Sequence, residues 1–149
     1  MTSVQEPVCL HASAVAINGK GVLILGPSGS GKSALAADLI SRGATLISDD
    51  QTLVSPAKPP LLSAPDSIKG LIELHGTGLV RLGHTTTAPV CLIVDLEEQT
   101  QDRLPVSRSR VLLDHSVRVI SAKSLSNLPP IVFLAVTGDW LDPEDHKIE

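Results

Sequence analysis

The chain has 149 residues, 42% of them apolar and 19% charged, with a net charge of −4, which excludes a disordered chain and suffices for one domain with a real core. One Trp, one Phe and no Tyr exclude single-stranded nucleic-acid binding by aromatic stacking, and the negative balance removes a nucleic-acid binder's electrostatic footprint. Cys9 and Cys91 suggest neither a disulfide framework nor a zinc site, and with no apolar run near ~18 residues and no basic-plus-apolar leader, the expectation is a reduced, cytoplasmic protein with no membrane partner.

In chain order, residues 1–8 read as a loose lead-in to a single domain spanning 1–149. LHASAVAI, from Leu10, alternates and is β-prone, and VLIL, from Val22, is an all-apolar strand. Asn18-Gly19 between them is a hairpin turn signal. The loop GPSGSGKSA follows, and KSALAADLISR, Lys32 to Arg42, reads as a helix. Leu35, Leu39 and Ile40 give it an apolar face, and Gly43 stands where a C-terminal glycine belongs. TLIS is then a short strand ending at Asp49 and Asp50. Ser55 to Pro65 holds four prolines and is expected to be irregular. VCLIVDLEE, Val90 to Glu98, is a buried strand; VRVIS is a weaker one. LPPIVFLAV suits a helix opening at Pro129-Pro130 or a strand. Strand, glycine loop, helix and strand make the fold α/β.

Gly26, Pro27, Ser28, Gly29, Ser30, Gly31, Lys32 and Ser33 fill the pattern G-x-x-x-x-G-K-S between an apolar strand and a helix, the context that makes the pattern a phosphate site. Glycines permit backbone angles and approaches that a Cβ blocks. Successive N–H groups then converge on phosphate oxygens, with the helix N-terminus behind them. Lys32 supplies a point charge for the terminal phosphates and the Ser33 hydroxyl a ligand for Mg²⁺. The competing reading is a Gly/Ser-rich turn with Lys32 merely solvated.

Phosphoryl transfer needs acidic groups as well. Asp49-Asp50 follows the strand after the loop's helix, and in a parallel sheet that strand end faces the same crevice. Adjacent residues on an extended backbone point opposite ways, so one carboxylate is expected to accept the proton of an attacking hydroxyl and the other to organise metal or backbone. The alternative is a polar turn. Asp95 reads as a metal-binding strand-end acid or as the cap of the following loop. His11 reads as a strand-rim residue or as a catalyst.

LHASAVAINGKGVLILGPSGSGKSALAADLISRGATLISDD closely resembles the catalytic domain of HPr kinase/phosphorylase, bacterial enzymes acting on a serine of the phosphocarrier HPr. The match runs through Leu10-His11, Gly21 to Ile24, the glycine loop, Arg42-Gly43 and Asp49-Asp50 without a gap, and ELHGTGLV, from Glu73, echoes a second signature. The resemblance implies the P-loop-containing sheet-and-helix fold of the HPr kinase and phosphoenolpyruvate carboxykinase type, in a short form without the family's N-terminal domain. It implies ATP held by the loop and Lys32, Mg²⁺ on Ser33 and Glu73, Asp50 as proton acceptor with Asp49 beside it, and His11 as the active-site histidine. Arg103 in QDRL is similar to a family arginine. The implied partner is an HPr-type phosphocarrier, and the family's hexamers imply a homo-oligomer.

Departures lie downstream. His75 replaces the arginine of the second signature, LGHTTT stands for a longer family segment, and SVRVISAKSLSN keeps fragments of the loop tied to phosphorolysis. The kinase half of the activity keeps its parts; the phosphorylase half does not. Two other readings stay open: a small-molecule P-loop kinase, and a non-catalytic ATP-binding regulator of a signalling partner.

Overall fold

The computed structural model describes residues 6–143. Its first strands are β1 (Val8–Leu10), β2 (Ala12–Ile17) and β3 (Lys20–Leu25), followed by α1 (Lys32–Ser41). Then come β4 (Thr45–Ser48), β5 (Thr52–Ser55), β6 (Leu61–Ser63), a 3₁₀ turn at Asp66–Ile68, β7 (Leu71–Leu74) and β8 (Gly78–Arg81). The chain continues through β9 (Ala88–Asp95), β10 (Ser109–Leu112) and β11 (His115–Ser121) to α2 (Leu128–Thr137). The α/β expectation holds. Of the expected lead-in, residues 1–5 lie outside the described residues, and Val8 already belongs to β1.

The mixed sheet runs β1-β5-β6-β9-β3-β2-β4, with β11 also alongside β9 and β10 beyond it, while β7 and β8 pair separately. β9 lies parallel to both β3 and β11. β2 is antiparallel to both β3 and β4. The strands before and after the loop's helix therefore point the same way but are not neighbours, because β2 is inserted between them. Their carboxyl ends still open on one edge. His11 alone separates β1 from β2, although these strands stand far apart in the strand order. The sheet thus folds back on itself, and His11 occupies the bend.

The local signals have local causes. The two-residue turn after β2 needs left-handed angles at both positions, and Asn18 and Gly19 supply φ of 51° and 77°. α1 ends in a Schellman arrangement: the Gly43 N–H donates to the Ile40 carbonyl at 3.1 Å and the Ala44 N–H to the Leu39 carbonyl at 3.0 Å. The irregular excursion expected over Ser55–Pro65 contains a strand after all. Leu61–Ser63 completes a hairpin with β5 and caps the start of β9, with Leu62 fully buried. Pro56, Pro59 and Pro60 occupy the connection between β5 and β6, and Pro65 precedes the 3₁₀ turn. LPPIVFLAV resolves to a helix with Pro in its first turn.

Alternation on the central strands creates two cores. Val15, Ile17, Val22 and Ile24 face Leu35 and Leu39 of α1 and Val132 and Val136 of α2. Ala14, Ala16, Leu23 and Ile93 face Val54 and Leu62 of the folded-over strands. β2 is consequently buried along its whole length. One polar side chain in it, Ser13, is completely inaccessible.

Candidate active site

The loop leaves β3 at Leu25 and enters α1 at Lys32. Gly29 and Gly31 take φ of 81° and 100°, and at each an added Cβ would meet no atom within 4 Å. Both adopt angles that an L side chain reaches only with strain, and both border open space. Gly26 is tight for a different reason: a Cβ there would strike the Ser30 hydroxyl and approach Leu96 at 3.2 Å. No side chain caps the start of α1, so its first N–H groups remain for an anion. The buried Ser30 Oγ has no hydrogen-bond partner among the described residues. Lys32, 5% exposed, folds back to donate to the carbonyls of Gly26 at 2.8 Å and Pro27 at 3.1 Å. A cradle with an orphaned hydroxyl, uncapped amides and a cation parked on its rim fits a phosphate group.

The adjacent aspartates diverge in the bend that follows β4, where Asp50 leaves the extended conformation. Asp49 is buried. Its Oδ1 accepts Ser33 Oγ at 2.7 Å and Ser13 Oγ at 2.9 Å, and its Oδ2 accepts the Glu73 N–H at 3.0 Å. Asp50 turns the other way, into solvent, at φ 68°, a left-handed angle that Asp tolerates better than most residues. Its Oδ1 lies 3.5 Å from His11 Nδ1. The other ring nitrogen of His11 stands 3.3 Å from Ser28 Oγ at the loop's tip. His11, Ser28 and Asp50 thus form a chain from the glycine loop to the second aspartate.

Ser13 joins the two halves. Its hydroxyl donates to Asp49 and accepts the Asp50 N–H at 3.1 Å, so one buried oxygen fixes where the two carboxylates part. Nothing in the sequence singled it out; the only signal was a lone hydroxyl inside an otherwise apolar strand.

Glu73 sits on β7 with its side chain exposed and its amide on Asp49, which places it beside Ser33 and Asp49. Among the described residues no three or more His, Cys, Asp or Glu side chains stand together as a metal cage. Hydroxyl and carboxylate oxygens in small number suit Mg²⁺, which keeps waters and is completed by substrate phosphates.

Asp95 resolves to the capping alternative. Its Oδ1 accepts the N–H groups of Glu97 and Glu98 at 2.9 and 3.1 Å, and its Oδ2 accepts Arg110 at 2.6 Å. Burial pushes its pKa up, but the bonds from Arg110, Glu97 and Glu98 outweigh burial and hold it below the ordinary aspartate value. Arg103 stands apart from the loop as well. It lies on the β9–β10 connection, and among the described residues it makes no hydrogen bond or ion pair with His11, Asp49, Asp50 or the glycine loop.

Residues 2–121 match the family model described as HPr Serine kinase C-terminal domain. HPr kinase/phosphorylase of Mycoplasmopsis pulmonis is 38% identical over 106 residues, covering 66% of this chain and 34% of that protein. HPr kinase/phosphorylase of Lacticaseibacillus casei is 43% identical over 108 residues, covering 63% and 32%. This chain therefore spans about a third of the length of these relatives. A solved structure, the Hpr(Ser) kinase/phosphatase from Coxiella burnetii, aligns with a TM-score of 0.74 at 26% identity, covering 87% of this chain and 88% of that one.

Proposed function

The chain belongs to the HPr serine kinase C-terminal domain family, and from that premise we propose that it is an ATP- and Mg²⁺-dependent kinase phosphorylating a serine of an HPr-type phosphocarrier. The observation that carries the reading is the convergence on one sheet edge of the phosphate cradle, the Ser33–Asp49 pair and the His11–Asp50 pair.

The loop amides and the α1 N-terminus hold the phosphates, and Lys32 exchanges its grip on the Gly26 and Pro27 carbonyls for phosphate oxygens. Ser33, oriented by Asp49, and Glu73 would hold Mg²⁺, which would neutralise charge on the terminal phosphates. The exposed Asp50 carboxylate takes the proton from the incoming seryl hydroxyl, while His11 fixes that carboxylate's direction. The seryl oxygen forms its bond to the γ-phosphorus as the bond to the β-phosphate oxygen breaks. Positioning and electrostatics supply the acceleration, as is usual in phosphoryl transfer. On this reading the partner is a small phosphocarrier presenting serine at the solvent-facing side of Asp50.

The test is phosphoserine formation on an HPr-type phosphocarrier with γ-labelled ATP and Mg²⁺, run beside a nucleotide-binding measurement. Label on the carrier's serine supports the proposal. Nucleotide binding with no transfer to the carrier overturns it in favour of a regulator, and ATP consumption with a small metabolite favours a small-molecule kinase.

A further inference from the structure

Arg103 lines a cavity of about 530 Å³ between the β9–β10 connection, β11 and α2. That volume lies in the range of small-molecule sites. None of the residues placed at the transfer site lines it.

Its walls are apolar in an unusual way. α2 reads LPPIVFLAVT and has no polar outer face. Val132 and Val136 turn to the core, while Ile131, Leu134 and Ala135 turn to the cavity. Of the eight large apolar side chains exposed among the described residues, five line it, namely Leu104, Val106, Leu134, Trp140 and Leu141. Exposed apolar surface gathered in one concavity marks a binding site.

The polar end has a sign. Arg108 on the rim is held by Glu98, and Arg110 behind it by Asp95 and Glu98. Arg103 has no hydrogen bond or ion pair among the described residues, so its charge is available. Asp102, also in the lining, repels a second negative charge.

We propose that this cavity binds a small organic monoanion, with an aliphatic or aromatic body against Ile131, Leu134 and Trp140 and its anionic head on Arg103. The site is separate from the nucleotide cradle and does not rest on the proposed kinase activity.

Trp140 is the chain's one tryptophan and lies in the lining, so energy transfer from it reports occupancy directly. The intact chain is titrated with 1-anilinonaphthalene-8-sulfonate and with N-phenyl-1-naphthylamine, which share the apolar body and differ in the charged head. The expected result is saturable one-to-one binding of both, quenching Trp140, with the sulfonate tighter. Arg103→Gln should weaken the sulfonate about 10- to 150-fold, as befits one charged hydrogen bond, and leave the neutral dye within about twofold. Ala135→Phe should block both dyes, and ATP should displace neither. Equal affinity for the two dyes, an unchanged sulfonate affinity in Arg103→Gln, or displacement by ATP overturns the proposal. Arg103 is exposed on a connecting segment, so its variant decides the matter even if Ala135→Phe fails to fold.

Discussion

Removing the Ser13 hydroxyl tests how the two aspartates are held apart. Ser13→Ala deletes the 2.9 Å bond to Asp49 and the acceptor of the Asp50 N–H at 3.1 Å, in a side chain with no exposure. A hydrogen bond to a charged group contributes about 1.5–3 kcal/mol. The Asp50 amide belongs to an exposed residue and can turn to water, which places the expected loss near ~2 kcal/mol. At this chain length such a loss lowers Tm by about 4–8 °C. The Ser33–Asp49 bond and the glycine loop are untouched, so nucleotide affinity should hold. Asp50, released at a left-handed angle, shifts, and a displacement of ~1 Å near the reacting atoms costs up to about 100-fold in rate. The expected outcome is therefore kcat down ~10- to 100-fold with the nucleotide Kd within about threefold. Thermal unfolding, nucleotide titration and transfer to an HPr-type carrier read the three quantities. A destabilised variant with wild-type kcat would refute the positioning role.

Gly31→Ala places a Cβ at φ 100°, a strain of about 1–2 kcal/mol or more, and should raise the nucleotide Kd about tenfold in a titration with the chain still folded. Asp49→Asn keeps an oxygen for Ser33 but removes the charge that orients it; the Mg²⁺ concentration for half-maximal transfer should rise about 10- to 100-fold. An unchanged metal dependence would place the metal elsewhere. Asp95, held below the ordinary aspartate value by Arg110 and two backbone amides, binds its proton more readily in the unfolded chain. Its contribution is therefore complete above the unfolded value and lost as pH falls through the folded one. Urea midpoints from pH 7 to 3 should show Asp95→Asn less stable by a constant amount down to about pH 4, with the gap closing below it; parallel curves would contradict this.

The hairpin at Asn18-Gly19, the helix after the glycine loop and its Gly43 terminus were legible because each is set by neighbours in sequence. Leu61–Ser63 was not: its extended form is imposed by β5 on one side and β9 on the other, against a proline-rich local signal. The insertion of β2 between β3 and β4 was equally invisible, since pattern reveals strands and not their order. At the site, the divergence expected of Asp49-Asp50 is present but is made by a left-handed bend at Asp50 beyond the end of β4 and not by strand alternation, and the sharing of Ser13 depends on a pairing between residues 36 and 37 positions apart. Glu73 carries no local signal of function; only the β7–β8 hairpin brings its amide to Asp49. Arg103 was placed by a short context, and its connecting segment carries it to another cavity.

Single-turnover phosphoryl transfer by Asp50→Asn, at saturating ATP, Mg²⁺ and HPr-type carrier, bears most directly on the central claim. Asparagine occupies the same volume, so the loop and its nucleotide affinity should be retained, while a group that accepts no proton should lower the transfer rate by about 100-fold or more. Transfer at the wild-type rate by a nucleotide-bound Asp50→Asn chain would contradict the account.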